Sequence, residues 1–282
     1  EEVAVALVEA PAESDALIQA VIGAVNVRAA GAPGTWSLAF AHTDTLDSSA
    51  RNGFHNEVES NEFFLGYSRQ LSENLSWGIQ GRLLDADLSR ESALAELGGQ
   101  PGKVRTKLRG ADFEVGLLGE TASAWLWGVV AGLGLSDASS DIYTIAPLPI
   151  PFPPFMVPSG TLLASAEDDI LGTTARLGVG KRWTDGGFYA DLHYVNLATD
   201  DSGSVSMGRL SIGVEQSVGP TWVVRGGATA DTIQQWSLGG GVSYGGIKGS
   251  TLDFGYQYNA APEMEPELGR VHLLSISAAW AL

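Results

Sequence analysis

The chain has no cysteine, which removes disulfides, thiolate metal sites and cysteine nucleophiles from consideration. It has no apolar run approaching about eighteen residues, so no segment is built to cross a bilayer as a helix. Charge is scarce: Asp, Glu, Lys and Arg make up 17% of the residues, where a soluble surface carries about a quarter or more. Basic charge is scarcest, with 16 Lys and Arg against 33 Asp and Glu for a net −17, a poor match to a phosphate backbone, so nucleic acid is not an expected partner. The four histidines, His42, His55, His193 and His272, show no ligand spacing, and no motif couples a nucleophile to a base. His193 and Asp191 stand two apart, which on a strand makes them same-face neighbours and not a catalytic dyad. No metal, no cofactor and no enzymatic activity is expected.

What the chain has in excess is glycine and tryptophan. Its 36 glycines are close to twice the usual share of about 7%. From about residue 34 onward the larger apolar side chains recur with period two, the mark of strands with two different faces. The runs are Trp36–Phe40, Phe63–Tyr67, Leu75–Ile79, Phe113–Leu117, Trp125–Leu133, Ala175–Trp183, Phe188–Tyr194, Leu210–Val214, Trp222–Val224, Trp236–Tyr244, Leu252–Tyr258 and Leu274–Leu282. About twelve strands are therefore expected.

The connections alternate long and short throughout. Short QLSEN, ETAS, TDGG, SVGP and GGIKG are interleaved with longer polar stretches, one of them of over thirty residues. A sandwich has no reason to keep that rhythm, whereas an up-and-down transmembrane barrel has short turns on the periplasmic side and long loops outside. The expected fold is all-β: an antiparallel transmembrane barrel with its odd-numbered connections long and external.

The alternate parity carries small, polar or charged residues. Glu62, Arg82, Asp112, Glu114, Arg176, Arg182, Asp191, His193, Arg209, Glu215, Arg225 and Asp253 fall on it, among columns of glycine. Charges inside and apolar groups outside invert the plan of a soluble barrel. These residues are expected to line the lumen, with Arg82, Arg176, Arg209 and Arg225 pairing with Glu114, Asp191, Glu215 and Asp253 across it. Trp183, Trp222 and Trp280, near strand ends, are expected to form an aromatic girdle against lipid at the periplasmic interface.

Two segments lie outside the strand pattern. Residues 1–33 contain ESDALIQAVIGAVNVRAAG, where Ser14 or Asp15 is placed to cap a helix carrying Leu17, Val21, Ile22 and Val25 on one side, stopped by Gly31 and Pro33. This N-terminal segment, without a signal peptide's basic and apolar regions, is expected as a mature terminus: a lumenal plug, a docking helix or a periplasmic tail, set apart from a barrel over 34–282. The stretch IAPLPIPFPPFMVPSG places Pro147, Pro149, Phe152, Pro153, Phe155 and Met156 in an extended apolar loop. It is expected to constrict the mouth, lie on the rim, pack on other loops or contact a partner protein.

These residues resemble a bacterial outer-membrane β-barrel. The final VHLLSISAAWAL is similar to the C-terminal signal of that superfamily through Leu274, Ile276, Ala278, Trp280 and Leu282, although the family more often ends in phenylalanine. FFLGYSRQLSENLSWGIQGRLLDADLS resembles an autotransporter translocator strand pair. The resemblance implies an outer-membrane location, lipid around the barrel, and a small porin-like channel for small solutes or cations. The alternatives are a non-conducting docking barrel that holds a protein partner or a second copy through its loops, and an autotransporter-like translocator.

Overall fold

The computed structural model describes residues 2–11, 17–28, 33–47, 55–94, 100–145, 148–151, 154–157, 159–199, 203–232, 236–245, 250–258 and 270–281. Its strands are β1 (Glu2–Pro11), β2 (Leu17–Val27), β3 (Gly34–Asp47), β4 (Asn56–Ser72), β5 (Leu75–Leu94), β6 (Gln100–Glu120), β7 (Trp125–Thr144), β8 (Leu148–Pro151), β9 (Pro154–Val157), β10 (Leu162–Trp183), β11 (Gly186–Thr199), β12 (Gly203–Val218), β13 (Trp222–Asp231), β14 (Trp236–Tyr244), β15 (Ser250–Tyr258) and β16 (Leu273–Ala281). All but β8 and β9 form one closed antiparallel barrel of fourteen strands, each paired with its sequence neighbour. The ring closes where β1 pairs with β16, with Val5 opposite Ala278. Closure matters physically because an open sheet edge would leave backbone N–H and C=O groups unpaired in hydrocarbon. With strands about 4.8 Å apart and tilted about 40°, fourteen of them make a backbone cylinder about 28 Å across.

The twelve expected strands are all present, and the two additional ones are β1 and β2. The N-terminal segment is thus barrel wall from residue 2, which corrects both the capped helix and the boundary at residue 34; no helix occurs among the described residues. Leu17, Val21, Ile22 and Val25 fit a helical stripe, but they equally fit a strand with apolar residues on both faces. The ladder decides between them: Val21 pairs with Leu7 on one side and His42 on the other, giving the backbone groups of β2 partners along its length. A helix in the bore would have required β3 to close the ring directly on β16, whereas β1 and β2 stand between them.

The barrel is apolar on its outside. Trp36, Leu38, Phe40, Phe113, Val115, Leu117, Leu210, Ile212 and Val214 are exposed on the outer surface, while Ala86 and Val271 are the buried hydrophobic residues among those described. Both chain ends lie beside the short turns, since Glu2 pairs with Ala281. Two of those turns need left-handed backbone: Gly219 at φ 70°, which glycine adopts freely, and Ala124 at φ 60°, which an L side chain adopts at a cost.

Four strands are far longer than a membrane requires. β5, β6, β7 and β10 have 20, 21, 20 and 22 residues, where about ten suffice to cross. They continue roughly ten residues, about 30 Å, beyond the lipid on the long-loop side. Much of what the sequence presents as long polar loops is therefore strand. Along this extension the two faces exchange character. The outer face passes from Leu83 to Asp85 and Asp87 on β5, from Ala111 to Arg109 and Lys107 on β6, and from Leu171 to Asp169 on β10. The inner face passes from Gln80 and Arg82 to Leu84, Ala86 and Leu88. A barrel wall in water must be apolar inside, as a wall in lipid must be apolar outside.

Candidate functional site

The lumen within the membrane is organised by ion pairs between neighbouring strands. On β4, β5 and β6, the Arg82 Nε donates to Asp112 Oδ2 at 2.7 Å and its Nη1 to Glu62 Oε2 at 3.3 Å. Lumenal glycines on β7 make room for these acids: a Cβ on Gly134 would strike the Asp112 carboxylate, and one on Gly132 the Glu114 side chain. A second cluster spans β11 to β15. Arg225 contacts Glu215 at 3.4 Å and Asp253 at 3.1 Å, Tyr189 donates to Glu215 at 3.0 Å, and Ser243 bonds both Arg225 and Asp253. Between the clusters Arg176 approaches Asp191 at 3.9 Å. Near the short-turn end Arg182 pairs with Glu120.

The proposed lumenal residues are thus distributed over two clusters and a middle row. Glu62, Arg82 and Asp112 are brought together, as are Glu215, Arg225 and Asp253; Arg176 meets Asp191, and Arg182 meets a partner the sequence pattern did not single out. Glu114 and Arg209 make no hydrogen bond or ion pair among the described residues, so the expected pairing of arginines with Glu114 is not formed. Sequence reasoning also missed Tyr189, Ser243 and the Ser237–Gln257 pair at 2.9 Å. All four residues lie on the lumenal parity, where the charge pattern singles out only the acidic and basic side chains.

The larger omission is apolar. Above the charged belt, Phe64, Leu84, Leu108, Ile170, Val195 and Leu197 line a lumenal cavity of 570 Å³ whose floor includes Arg82, Asp112, Arg176 and His193. The signal for it was the exchange of apolar parity after Leu83. Outside this chamber the extension carries a charged skin. Arg105 Nε donates to Asp87 Oδ1 and Oδ2 at 2.9 and 3.1 Å, and Arg109 meets Asp85 at 3.2 Å. The hydrogen bond from Arg105 holds the Asp87 carboxyl below the usual carboxylate range.

Trp183, Trp222 and Trp280 stand at the short-turn ends of their strands and face outward, 45%, 45% and 42% exposed. Trp222 packs tilted against Tyr244 with ring centres 4.7 Å apart, and Trp36 against Tyr67 at 4.9 Å, so this end carries an aromatic belt. A second belt at the opposite end includes Trp236 and Tyr258, with ring centres 5.7 Å apart. Of the proline-rich loop, the backbone of Pro149, Phe155 and Met156 lies in the β8–β9 hairpin, where Pro149 pairs with Met156 and Ile150 with Phe155. Pro147, Phe152 and Pro153 lie outside the described residues. No group of metal-ligating side chains occurs among the described residues.

Solved structures of similar fold include transport barrels and autotransporter translocator barrels. The toluene transporter TbuX of Ralstonia pickettii superposes with a TM-score of 0.63 at 13% identity, covering 100% of this chain and 89% of that one. A FadL homologue of Pseudomonas aeruginosa gives 0.59 at 10% identity, covering 99% and 89%. The β domain of the Bordetella autotransporter BrkA gives 0.52 at 10% identity, covering 100% and 98%. Neither a protein-family model nor a curated protein sequence matches the chain. At these identities the likeness is one of fold, and the fold is that of barrels of the bacterial outer membrane.

Proposed function

We propose that this chain, a bacterial outer-membrane β-barrel, is a passive channel for small molecules with a substantial apolar part. The observation that carries this reading is the 570 Å³ chamber, in which six apolar side chains from β4, β5, β6, β10 and β11 stand at the outer end of the bore above a belt of paired charges. A solute-binding pocket needs this combination: apolar walls that favour partition from water and a few polar groups that orient the guest. A porin-like bore for sugars or cations has no use for apolar walls at its outer entrance, and the expectation of a small-solute channel is narrowed accordingly. Transport of toluene by TbuX, a barrel of similar fold, is consistent with the same use here. The docking alternative rests on the proline-rich loop and the charge network, and the translocator alternative on resemblance and likeness of fold.

In planar bilayers the barrel is expected to conduct, because paired charges on the walls leave the centre of a cylinder of this width open. Benzyl alcohol should interrupt the current reversibly while occupying the chamber, and sucrose should not. Interruption by both solutes to the same extent, or by neither, would contradict the reading.

A further inference from the structure

Arg176 on β10, His193 on β11 and Arg209 on β12 occupy a single row of the ladder: Arg176 is opposite His193, and His193 is opposite Arg209. All three project into the lumen, since their chain neighbours Leu177, Leu192 and Leu210 are exposed on the outer face. Side chains opposite one another on a sheet face are about 5 Å apart, so two guanidinium groups flank one imidazole with little to separate them. The two cations, on either side of the imidazole, repel one another unless an anion relieves them.

The acids around the row do not do so. Asp191 reaches Arg176 only at 3.9 Å, well beyond the length of about 2.8 Å typical of a charge-assisted hydrogen bond. Glu114, across β7, acts on His193 through space but makes no hydrogen bond or ion pair among the described residues. Glu215 and Asp253 are held by Arg225, and Glu62 and Asp112 by Arg82. Asp231 stands opposite Arg209 in the ladder, yet Arg209 makes no hydrogen bond or ion pair among the described residues. The row therefore presents one guanidinium group, Arg176, held only by the long Asp191 contact, and a second, Arg209, with no hydrogen bond or ion pair among the described residues, and Arg176 and His193 open directly into the 570 Å³ chamber beneath Leu84, Leu108, Ile170 and Leu197.

We propose that the row Arg176–His193–Arg209 is a binding site for the oxyanion head of a small apolar anion, such as an aromatic carboxylate or sulfonate, whose apolar part lies against the leucines and isoleucine of the chamber. The inference rests on the reading of the barrel as a channel for apolar solutes and specifies which of them it retains. Guanidinium forks match a planar or tetrahedral oxyanion, and His193 between them adds a third donor when its ring nitrogen carries hydrogen toward the bore. The neutral analogue of such a solute gains the apolar contacts alone.

The test uses benzenesulfonate, which stays ionised throughout the accessible pH range, and benzyl alcohol as its neutral counterpart, each measured by current interruption in planar bilayers. Wild type is expected to bind benzenesulfonate the more tightly. In Arg176→Gln/Arg209→Gln the apparent Kd for benzenesulfonate should rise about tenfold or more, as expected when charged hydrogen bonds are lost, with benzyl alcohol changed less than about twofold. Arg209→Gln alone, which removes a side chain with no hydrogen bond or ion pair among the described residues, serves as the second variant and should show part of the same selective loss. Unchanged benzenesulfonate affinity in both variants overturns the site, as does an equal loss for the two solutes. If benzyl alcohol interrupts the wild-type current and benzenesulfonate does not, the anion site fails while the channel reading stands. If neither solute interrupts the current, the channel reading fails and the site with it.

Discussion

Leu83 and Leu84, adjacent on β5, point to opposite faces of the wall and mark the level at which the barrel leaves the membrane. Leu83 is the last apolar residue on the outer face before Asp85, and Leu84 is the first large aliphatic residue on the β5 inner face beyond Arg82. The same exchange on β6 and β10 gives one protein two kinds of wall: lipid-adapted below, water-adapted above. The chamber lies where the two meet.

The parity of the lipid-facing wall predicts opposite outcomes for adjacent residues of β12. Ile212, 48% exposed between Leu210 and Val214, faces hydrocarbon, so Ile212→Arg should cost about 2–4 kcal/mol in refolding stability. Ser211→Arg, on the lumenal face, should cost much less. Urea titration in lipid vesicles reads both, and equal costs would contradict the assigned faces.

Removing residues 2–27 should abolish folding. The deletion takes out β1 and β2 and leaves β3 and β16 as unpaired edges in the membrane. Had the segment been a lumenal helix, the shortened barrel would fold and conduct more strongly. Loss of the heat-modifiable folded band on a gel is the expected result.

This difference shows where the sequence was legible. The twelve strands beginning at β3 were visible because large residues such as Trp127 and Val129 alternate with Gly128, so that one face is unmistakably heavy. In β1 and β2 the light face is alanine and the heavy face mostly valine, and Ile18 and Ile22 add apolar bulk to the inner side, so the period of two is blurred and a helical spacing emerges. On β5 the alternation persists through Leu84, Ala86 and Leu88, but with its apolar face reversed, and a reversal reads as the end of a strand when only lipid is considered as solvent. The lumenal charges were legible as a set. Their pairing was not, because it depends on register, which places Arg82 opposite Asp112 and leaves Arg209 opposite His193.

Arg82 neutralises part of two carboxylates, and its removal should show in ion selectivity. In Arg82→Gln the Glu62 and Asp112 charges lose their partner and face the bore, so cation preference should increase. The reversal potential across a salt gradient measures it, and an unchanged potential would place this cluster away from the ion path.

The extension outside the membrane should loosen in acid. Asp87 has a folded pKa lowered by Arg105, so its contribution is present above the unfolded carboxylate value of about 3.9 and is lost as pH falls through the lower folded value. Amide exchange in β5 and β6 should quicken over that window in wild type. Asp87→Asn, which is neutral at every pH, should show no such step from this pair, and high salt should weaken the step because the pair is exposed.

The central claim is that the outer chamber admits apolar solutes, and uptake across an intact outer membrane tests it most directly. In cells whose outer membrane lacks general porins, expression of this barrel should raise the uptake rate of labelled benzyl alcohol, whose passage through a lipopolysaccharide leaflet is slow, without raising that of sucrose. Leu84→Asp/Leu197→Asp, which makes the chamber polar while leaving the lipid-facing wall intact, should abolish the gain with the same amount of folded barrel in the membrane. Uptake of benzyl alcohol that is indifferent to the barrel, or to the charges placed at residues 84 and 197, would contradict the account.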